Sequence, residues 1–165
     1  MTLMLKIFDS SPSTLSALKK AFAGCASIEM VMTEKVLYLQ PPPGLDVLYL
    51  PLAAAERWGS KPLIHESQVL ATKEEDRQIG LPPYIVTGTC LSPDDPRGPI
   101  SETTLLVSSA FKAIRAFNHE HDRPLRVIGF WAVNLLKGVS PTELREILKQ
   151  EAPELFTDKS FQQMQ

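Results

Sequence analysis

The clearest indication of chemistry in this sequence is a segment that joins an apolar run to a helix. The run LRVIGF (125–130) is typical of a buried strand, and WAVNLLKGV (131–139) leads from it to SPTE (140–143), which opens a helix with a capping box. Where a parallel strand leads into a helix, backbone N–H groups and the partial positive charge of the helix end favour phosphate. We therefore expect any anion affinity at the loop amides from Leu135 to Gly138, with Lys137 adding positive charge.

Other polar groups could carry chemistry, but each has a simpler structural interpretation. They are Asp94, Asp95 and Arg97 in SPDDPRGP (92–99), His119 and His121 in NHEHDRP (118–124), His65 beside Glu66, and the charged run from Lys73 to Arg77. The segment SPDDPRGP has the composition of a surface turn, although its charged residues could close over a ligand. The paired histidines could bind a metal but lack further ligands. His65 and Glu66 are unsupported as a catalytic pair, and the charged run indicates a solvated helical face or loop.

The composition predicts one globular domain in a reducing compartment. The chain has 165 residues, 44% of them hydrophobic, which is enough to bury a core. Its net charge of −2 argues against general nucleic-acid binding. No apolar stretch approaches the roughly 20 residues of a membrane span, so we expect a cytoplasmic protein. Cys25 and Cys90 are expected to be reduced and unpaired, and the sequence predicts neither a cofactor nor a metal site.

Segments typical of strands and of helices alternate along the chain. Strands are predicted at 1–8, 27–32, 35–39, 46–50, 84–90 and 125–130, and helices at 14–22, 53–58, 101–117 and from 141 onward. This alternation predicts an α/β fold: a three-layer α/β/α sandwich around a mixed, mainly parallel sheet of about six strands. YIVTGT (84–89) and LRVIGF are apolar throughout, so both are expected to be inner strands. Residues 1–150 are predicted as a single domain and residues 151–165 as a C-terminal tail, which is expected to be frayed or loosely docked after Pro153.

The order of these elements resembles the macro domain. The resemblance is carried by DVLYLP (46–51), by YIVTGT followed by the helix SETTLLVSSAFKAIRAF (101–117), and by LRVIGF leading to GVSPTELREIL (138–148). It covers roughly residues 1–150. It implies binding of ADP-ribose or a related nucleotide and, as in some members, removal of ADP-ribose from proteins or nucleic acids. The ligand-binding residues that we assign on this basis are Thr87, Trp131, Asn134, Leu135, Leu136, Lys137 and Gly138.

Two departures from the pattern of the family identify a diverged member. LAAA (52–55) stands where the family has an Asn-rich motif, and these side chains cannot hydrogen-bond a ribose. FWAVNLLKG (130–138) stands in place of a glycine-rich phosphate loop, of which only Gly138 remains. Glu34 is the candidate for the family's adenine-contacting acidic residue.

Three functions remain open: a module that binds ADP-ribose or a related ligand, an interaction or self-associating module that lost its pocket, and an ADP-ribosyl hydrolase. The binding module is slightly ahead, because the helix N-terminus at Ser140 still favours an anion, and the missing Asn motif places the hydrolase last. The lost glycines keep that lead small and predict weak binding. Each unpaired ligand group forfeits about 1–3 kcal/mol, so two or three losses move a micromolar dissociation constant towards millimolar.

Overall fold

A computed structural model of this chain describes residues 3–34, 40–90 and 99–156. The predicted strand at 35–39 and the loop residues Asp94, Asp95 and Arg97 lie outside the described residues.

A six-stranded mixed sheet forms the centre of the fold, beside a smaller sheet of two strands. In chain order the strands are β1 (Met4–Asp9), β2 (Ile28–Met32), β3 (Val47–Tyr49), β4 (Leu63–Ile64), β5 (Gln68–Ala71), β6 (Tyr84–Thr87), β7 (Thr89–Cys90) and β8 (Val127–Trp131). The large sheet has the order β2-β1-β8-β3-β6-β5, and only the β5–β6 pair is antiparallel. The predicted α/β class, the mainly parallel sheet and the inner positions of β6 and β8 are confirmed.

Helices cover both faces of the sheet, so the predicted three-layer arrangement is also confirmed. They are α1 (Pro12–Ala21), the 3₁₀ helix η1 (Leu52–Trp58), α2 (Glu74–Gln78), α3 (Pro99–Glu120), α4 (Ala132–Leu135), α5 (Pro141–Glu151) and the 3₁₀ helix η2 (Pro153–Leu155). The three longest helices, α1, α3 and α5, share the larger core with one face. The smaller core packs η1 against the other face. Within the described ranges, no helix combines the length and apolar character needed to cross a membrane.

Successive side chains of β8 point to opposite faces of the sheet, so this strand contributes to both cores. Phe130 belongs to the larger core and Trp131 to the smaller one, and both are fully buried. Gly129 lies between β1 and β3 on this strand, where a Cβ atom would come within 2.5 Å of Phe8 Cζ and 2.6 Å of Leu45 Cδ1. The glycine therefore allows these two side chains to pack directly over the middle of the sheet.

The chain beyond α5 is part of the domain as far as Phe156. Ala152 and Leu155 are buried, and Phe156 packs against the larger core. Arg115 of α3 also donates to both carboxylate oxygens of Glu154, at 2.9 Å from Nε and 2.6 Å from Nη2. The chain as far as Phe156 therefore packs against the domain, and the division of the chain at residue 150 stays a prediction. Apolar positions within a short 3₁₀ helix complete the core.

Candidate functional site

The carboxyl edge of the sheet is the candidate site, because four of the five parallel strands that end there lead into a turn or helix within the described residues. The strands are β1, β8, β3 and β6. After β8 comes α4, after β3 comes η1, and after β6 the chain turns at Gly88 into β7. Edges of this kind are the usual ligand sites of open α/β sheets.

The segment after β8 assigned as the ligand loop is largely closed by packing, in keeping with its bulky side chains. Trp131, Asn134 and Leu135 are at most 2% exposed, and Leu136 is partly buried. Residues 132–135 form the short helix α4, and Leu136 N donates to Ala132 O at 2.9 Å. Apolar side chains therefore draw the start of this turn into the two cores, and anion binding at the amides from Leu135 to Gly138 stays a prediction.

Trp131 lies inside the smaller core. Its ring meets Phe8 edge to face, with the centroids 4.9 Å apart and the planes at 80°. Such a contact stabilises the joint between β1 and β8, and it occupies the ring that would otherwise stack on a base.

The exposed end of the segment keeps the features expected of an anion site. Lys137 and Gly138 are exposed, and Gly138 has a φ of 73°, in the left-handed region that favours glycine. The predicted capping box at α5 is confirmed: Glu143 N donates to Ser140 Oγ at 3.1 Å, and Ser140 N donates to Glu143 Oε1 at 3.0 Å. These hydrogen bonds use two backbone amides at the start of α5, so those amides are not available to an anion. The side chain of Lys137 is exposed and remains available.

Two buried polar side chains at this edge have unmet hydrogen-bonding capacity. Thr87, which ends β6, is 0% exposed, and Asn134, in α4 just beyond β8, is 2% exposed. Thr87 Oγ1 and Asn134 Nδ2 have no hydrogen-bond partner among the described residues. An unsatisfied buried polar group costs free energy, and native proteins contain few of them. Both residues are in the set assigned from the sequence.

The segment in place of the Asn-rich motif supplies no hydrogen-bonding side chain. Leu52 to Ala55 form the first half of η1, in which Ala55 is fully buried and Ala54 packs against the smaller core. The same residues that cannot contact a ribose therefore help to cover the second face of the sheet.

One titratable residue was misjudged from the sequence: Asp76 is 1% exposed rather than part of a solvated face. Trp58 Nε1 donates to its Oδ2 at 2.8 Å, Lys73 N donates to the same oxygen at 3.3 Å, and Arg57 Nη2 lies 2.6 Å from Oδ1. Burial raises the pKa of Asp76, but the Trp58 and Lys73 hydrogen bonds and the charges of Arg57 and Lys73 together bring it below its usual range.

Asp76 thus ties α2 to the end of η1 and has a structural role. Its position three residues after Lys73, in the first turn of a short helix, is the local signal that favours a capping carboxylate.

Two further candidates from the sequence, Glu34 and His65, lie at the surface. Glu34 is exposed beyond the edge strand β2, and His65 occupies a turn with a φ of 61°. In the portions of the chain that the structure describes, no cluster of three or more His, Cys, Asp or Glu side chains could hold a metal ion.

Cys25 is a free thiol, as predicted, and its Sγ lies 3.3 Å from Arg145 Nη1. The side chain of Cys90 is outside the described part, so its state stays a prediction.

Comparison with protein-family models finds no match for this sequence, and comparison with curated proteins finds none either.

Proposed function

We propose that this protein is a macro-domain-like module that binds ADP-ribose or a related nucleotide weakly at the carboxyl edge of its sheet, without catalysing a reaction. The observation that carries the proposal is a pair of buried polar groups at this edge, Thr87 Oγ1 and Asn134 Nδ2, which have no hydrogen-bond partner in the described part of the chain. The order of elements that resembles the macro domain supports the choice of ligand. Location in the cytoplasm likewise stays a prediction from the sequence.

The chemistry of the two groups favours a ligand with hydrogen-bond acceptors. An amide nitrogen such as Asn134 Nδ2 can only donate, and a threonine hydroxyl can donate or accept. A phosphate oxygen, a ribose hydroxyl or a base carbonyl can pair with either group and would relieve the cost of leaving it unpaired, once a local rearrangement uncovers these buried atoms. Lys137 is exposed near the same strand end and would add attraction for a phosphate.

Weak affinity follows from the packing of the neighbouring segments. Trp131 and Leu135 are fully buried, so a ligand gains little from them without a rearrangement of α4. LAAA at residues 52–55 offers no contact to a ribose. We expect a dissociation constant from roughly 100 μM to the millimolar range. Catalysis is not part of the proposal, because the two buried groups that carry it, a threonine hydroxyl and an amide, do not act as general bases at neutral pH.

Calorimetric titration with ADP-ribose tests the proposal. Thr87→Val and Asn134→Leu keep the approximate volume and remove the polar group, so each should weaken binding by roughly tenfold, the loss of about 1.4 kcal/mol. Lys137→Glu should also weaken it, by repulsion of the phosphates. The matched control is Thr72→Val, since Thr72 is a buried threonine at the opposite end of the β5–β6 pair.

Low-micromolar affinity in the unmodified protein, or unchanged affinity in both edge variants, would contradict this reading of the site.

A second function has its own support: an interaction module that kept the fold and lost the pocket. The packing of Trp131 and Leu135 into the cores favours it, and so does Val133, a large apolar residue on the same short helix that is 47% exposed. Sedimentation velocity over a range of concentrations tests the case of self-association. Concentration-dependent dimerisation that Val133→Asp abolishes, together with no response to millimolar ADP-ribose, would favour this function over the first.

A further inference from the structure

A separate groove lies at the amino edge of the sheet, opposite the carboxyl edge. It has a volume of about 580 Å³ and lies among the starts of β3 and β6, the end of α3 and the helix α2. The side chains that matter here are Asp46, Arg77, Phe117, His121, Asp122 and Arg123. This volume is within the usual range for sites that bind small molecules.

One wall of the groove is a ladder of aromatic rings. Tyr84 meets Phe117 edge to face, with centroids 4.8 Å apart, and Phe117 stacks on His121 at 3.7 Å with the planes 4° apart. His121 Nδ1 is 2.8 Å from Phe117 O, and since a carbonyl oxygen only accepts, Nδ1 donates. The imidazole is exposed but held by the hydrogen bond and the stacking. It is therefore a fixed, flat surface on which a further ring can stack.

The guanidinium of Arg77, which hydrogen bonds fix in place, lines the same groove. Arg77 donates from Nε to Thr72 Oγ1 at 3.2 Å and from Nη2 to Thr72 O at 2.7 Å. Thr72 is itself fixed, because its hydroxyl donates to Pro82 O at 2.7 Å. Nη1 of Arg77 takes part in neither of these two hydrogen bonds. A guanidinium held in this way can bind a carboxylate with little further loss of side-chain entropy.

The carboxylate of Asp46, which is also fixed by hydrogen bonds, is the third group that lines the groove. Asp46 Oδ2 accepts from Arg126 N at 2.8 Å and from Val127 N at 2.9 Å, and these two bonds do not use Oδ1. Asp122 and Arg123 are exposed at the rim and add one charge of each sign. The acids and bases of the groove therefore balance, with two aspartates and two arginines.

We infer that this groove binds a free aromatic α-amino acid. The ring stacks on the exposed face of His121, the α-carboxylate pairs with Arg77, and the α-ammonium pairs with Asp46. A zwitterion matches the balanced charge of the groove, whereas a phosphate dianion would meet the two carboxylates. This site is independent of the one at the carboxyl edge, so a negative result for either proposal does not affect the other.

NMR titration of the full-length protein with L-tryptophan tests the inference. Shifts should concentrate on Tyr84, Phe117 and His121, with a dissociation constant from about 0.1 to 1 mM. Tryptophan amide lacks the carboxylate, N-acetyltryptophan lacks the ammonium and leucine lacks the ring, so each should bind at least roughly fivefold more weakly. Absence of these shifts in millimolar tryptophan, or equal binding of all four compounds, would overturn the inference.

Two histidines provide a matched pair of variants. His119 and His121 are both exposed at the same helix end, but only His121 lines this groove. His121→Ala should weaken tryptophan binding at least roughly tenfold, and His119→Ala should change it less than about twofold. Arg77→Gln changes the exposed residue that pairs with the α-carboxylate, so it should weaken tryptophan more than tryptophan amide. Equal effects of the two histidine variants would reject the stacking role, and tighter binding of AMP than of tryptophan would assign the groove to a nucleotide instead.

Discussion

At the scale of single residues, the effect of a buried hydroxyl on stability depends on whether it has a partner. Thr87 is buried with Oγ1 unpartnered among the described residues. Thr72 is buried too, but its hydroxyl donates to Pro82 O and accepts from Arg77 Nε. The same substitution should therefore have opposite effects at the two positions.

Thr87→Val should raise the free energy of unfolding by about 1 kcal/mol, because it removes an unsatisfied buried group without a large change of volume. Thr72→Val should lower it by about 1–3 kcal/mol, because Pro82 O loses its donor. Urea denaturation of both variants measures this difference. A loss of stability in Thr87→Val would show that its hydroxyl has a partner in solution.

Asp76 gives the protein a dependence on pH. Its folded-state pKa lies below the usual value of 3.8, so the ionised carboxylate stabilises the fold above that pH, and this contribution is lost as the pH falls through the folded-state pKa. Asp76→Asn should lower the urea midpoint at neutral pH and should flatten its decline on acidification below about pH 5. Glu75→Gln, on the exposed face of the same helix, is the control and should behave like the unmodified protein. Parallel acid profiles for Asp76→Asn and the unmodified protein would exclude this role.

At the scale of elements, the capping box of α5 fixes where that helix begins. Ser140 Oγ accepts from Glu143 N, and the buried face of α5 carries Leu144, Ile147 and Leu148. Ser140→Ala should cost about 1 kcal/mol of unfolding free energy, because the amide of Glu143 loses its acceptor. Thr142→Ala changes an exposed residue in the same turn and should be neutral or slightly stabilising. Equal denaturation midpoints for the two variants would show that the cap adds no stability.

At the scale of the whole molecule, the segment after α5 determines how far the domain extends. Leu155 is 1% exposed in the larger core, whereas the Arg115–Glu154 pair is only partly buried, with 40% and 31% of the side chains exposed. Apolar burial should therefore hold the segment more than the ion pair does.

Leu155→Ala should cost about 2–5 kcal/mol of unfolding free energy. Glu154→Gln should cost less than about 1 kcal/mol, since solvent screens a half-exposed pair. Ile79→Ala, at a residue that is 59% exposed, is the control for a lost aliphatic side chain. Similar small effects of Leu155→Ala and Ile79→Ala in thermal unfolding would mean that residues 153–156 are not part of the cooperative domain.

The sequence by itself determined the features that depend on local pattern. Continuous apolar runs identified β6 and β8 as inner strands, and the spacing of Ser140 and Glu143 identified the start of α5, because backbone conformation and burial on both faces leave a periodic record in the chain. The tertiary structure alone decided which polar residues are buried and with what. Trp131 closes the predicted loop because Phe8, more than a hundred residues earlier, lies beside it in the sheet.

The same reason explains Asp76 and the groove at the amino edge. Asp76 is buried because Trp58 and Arg57 reach it from another element. Asp46, Arg77 and His121 line one groove because β3, α2 and α3 meet at the same edge of the sheet. Contacts between residues so far apart in the chain depend on the order of the strands and the placement of the helices. The spacing of apolar residues along the sequence does not reveal either of these.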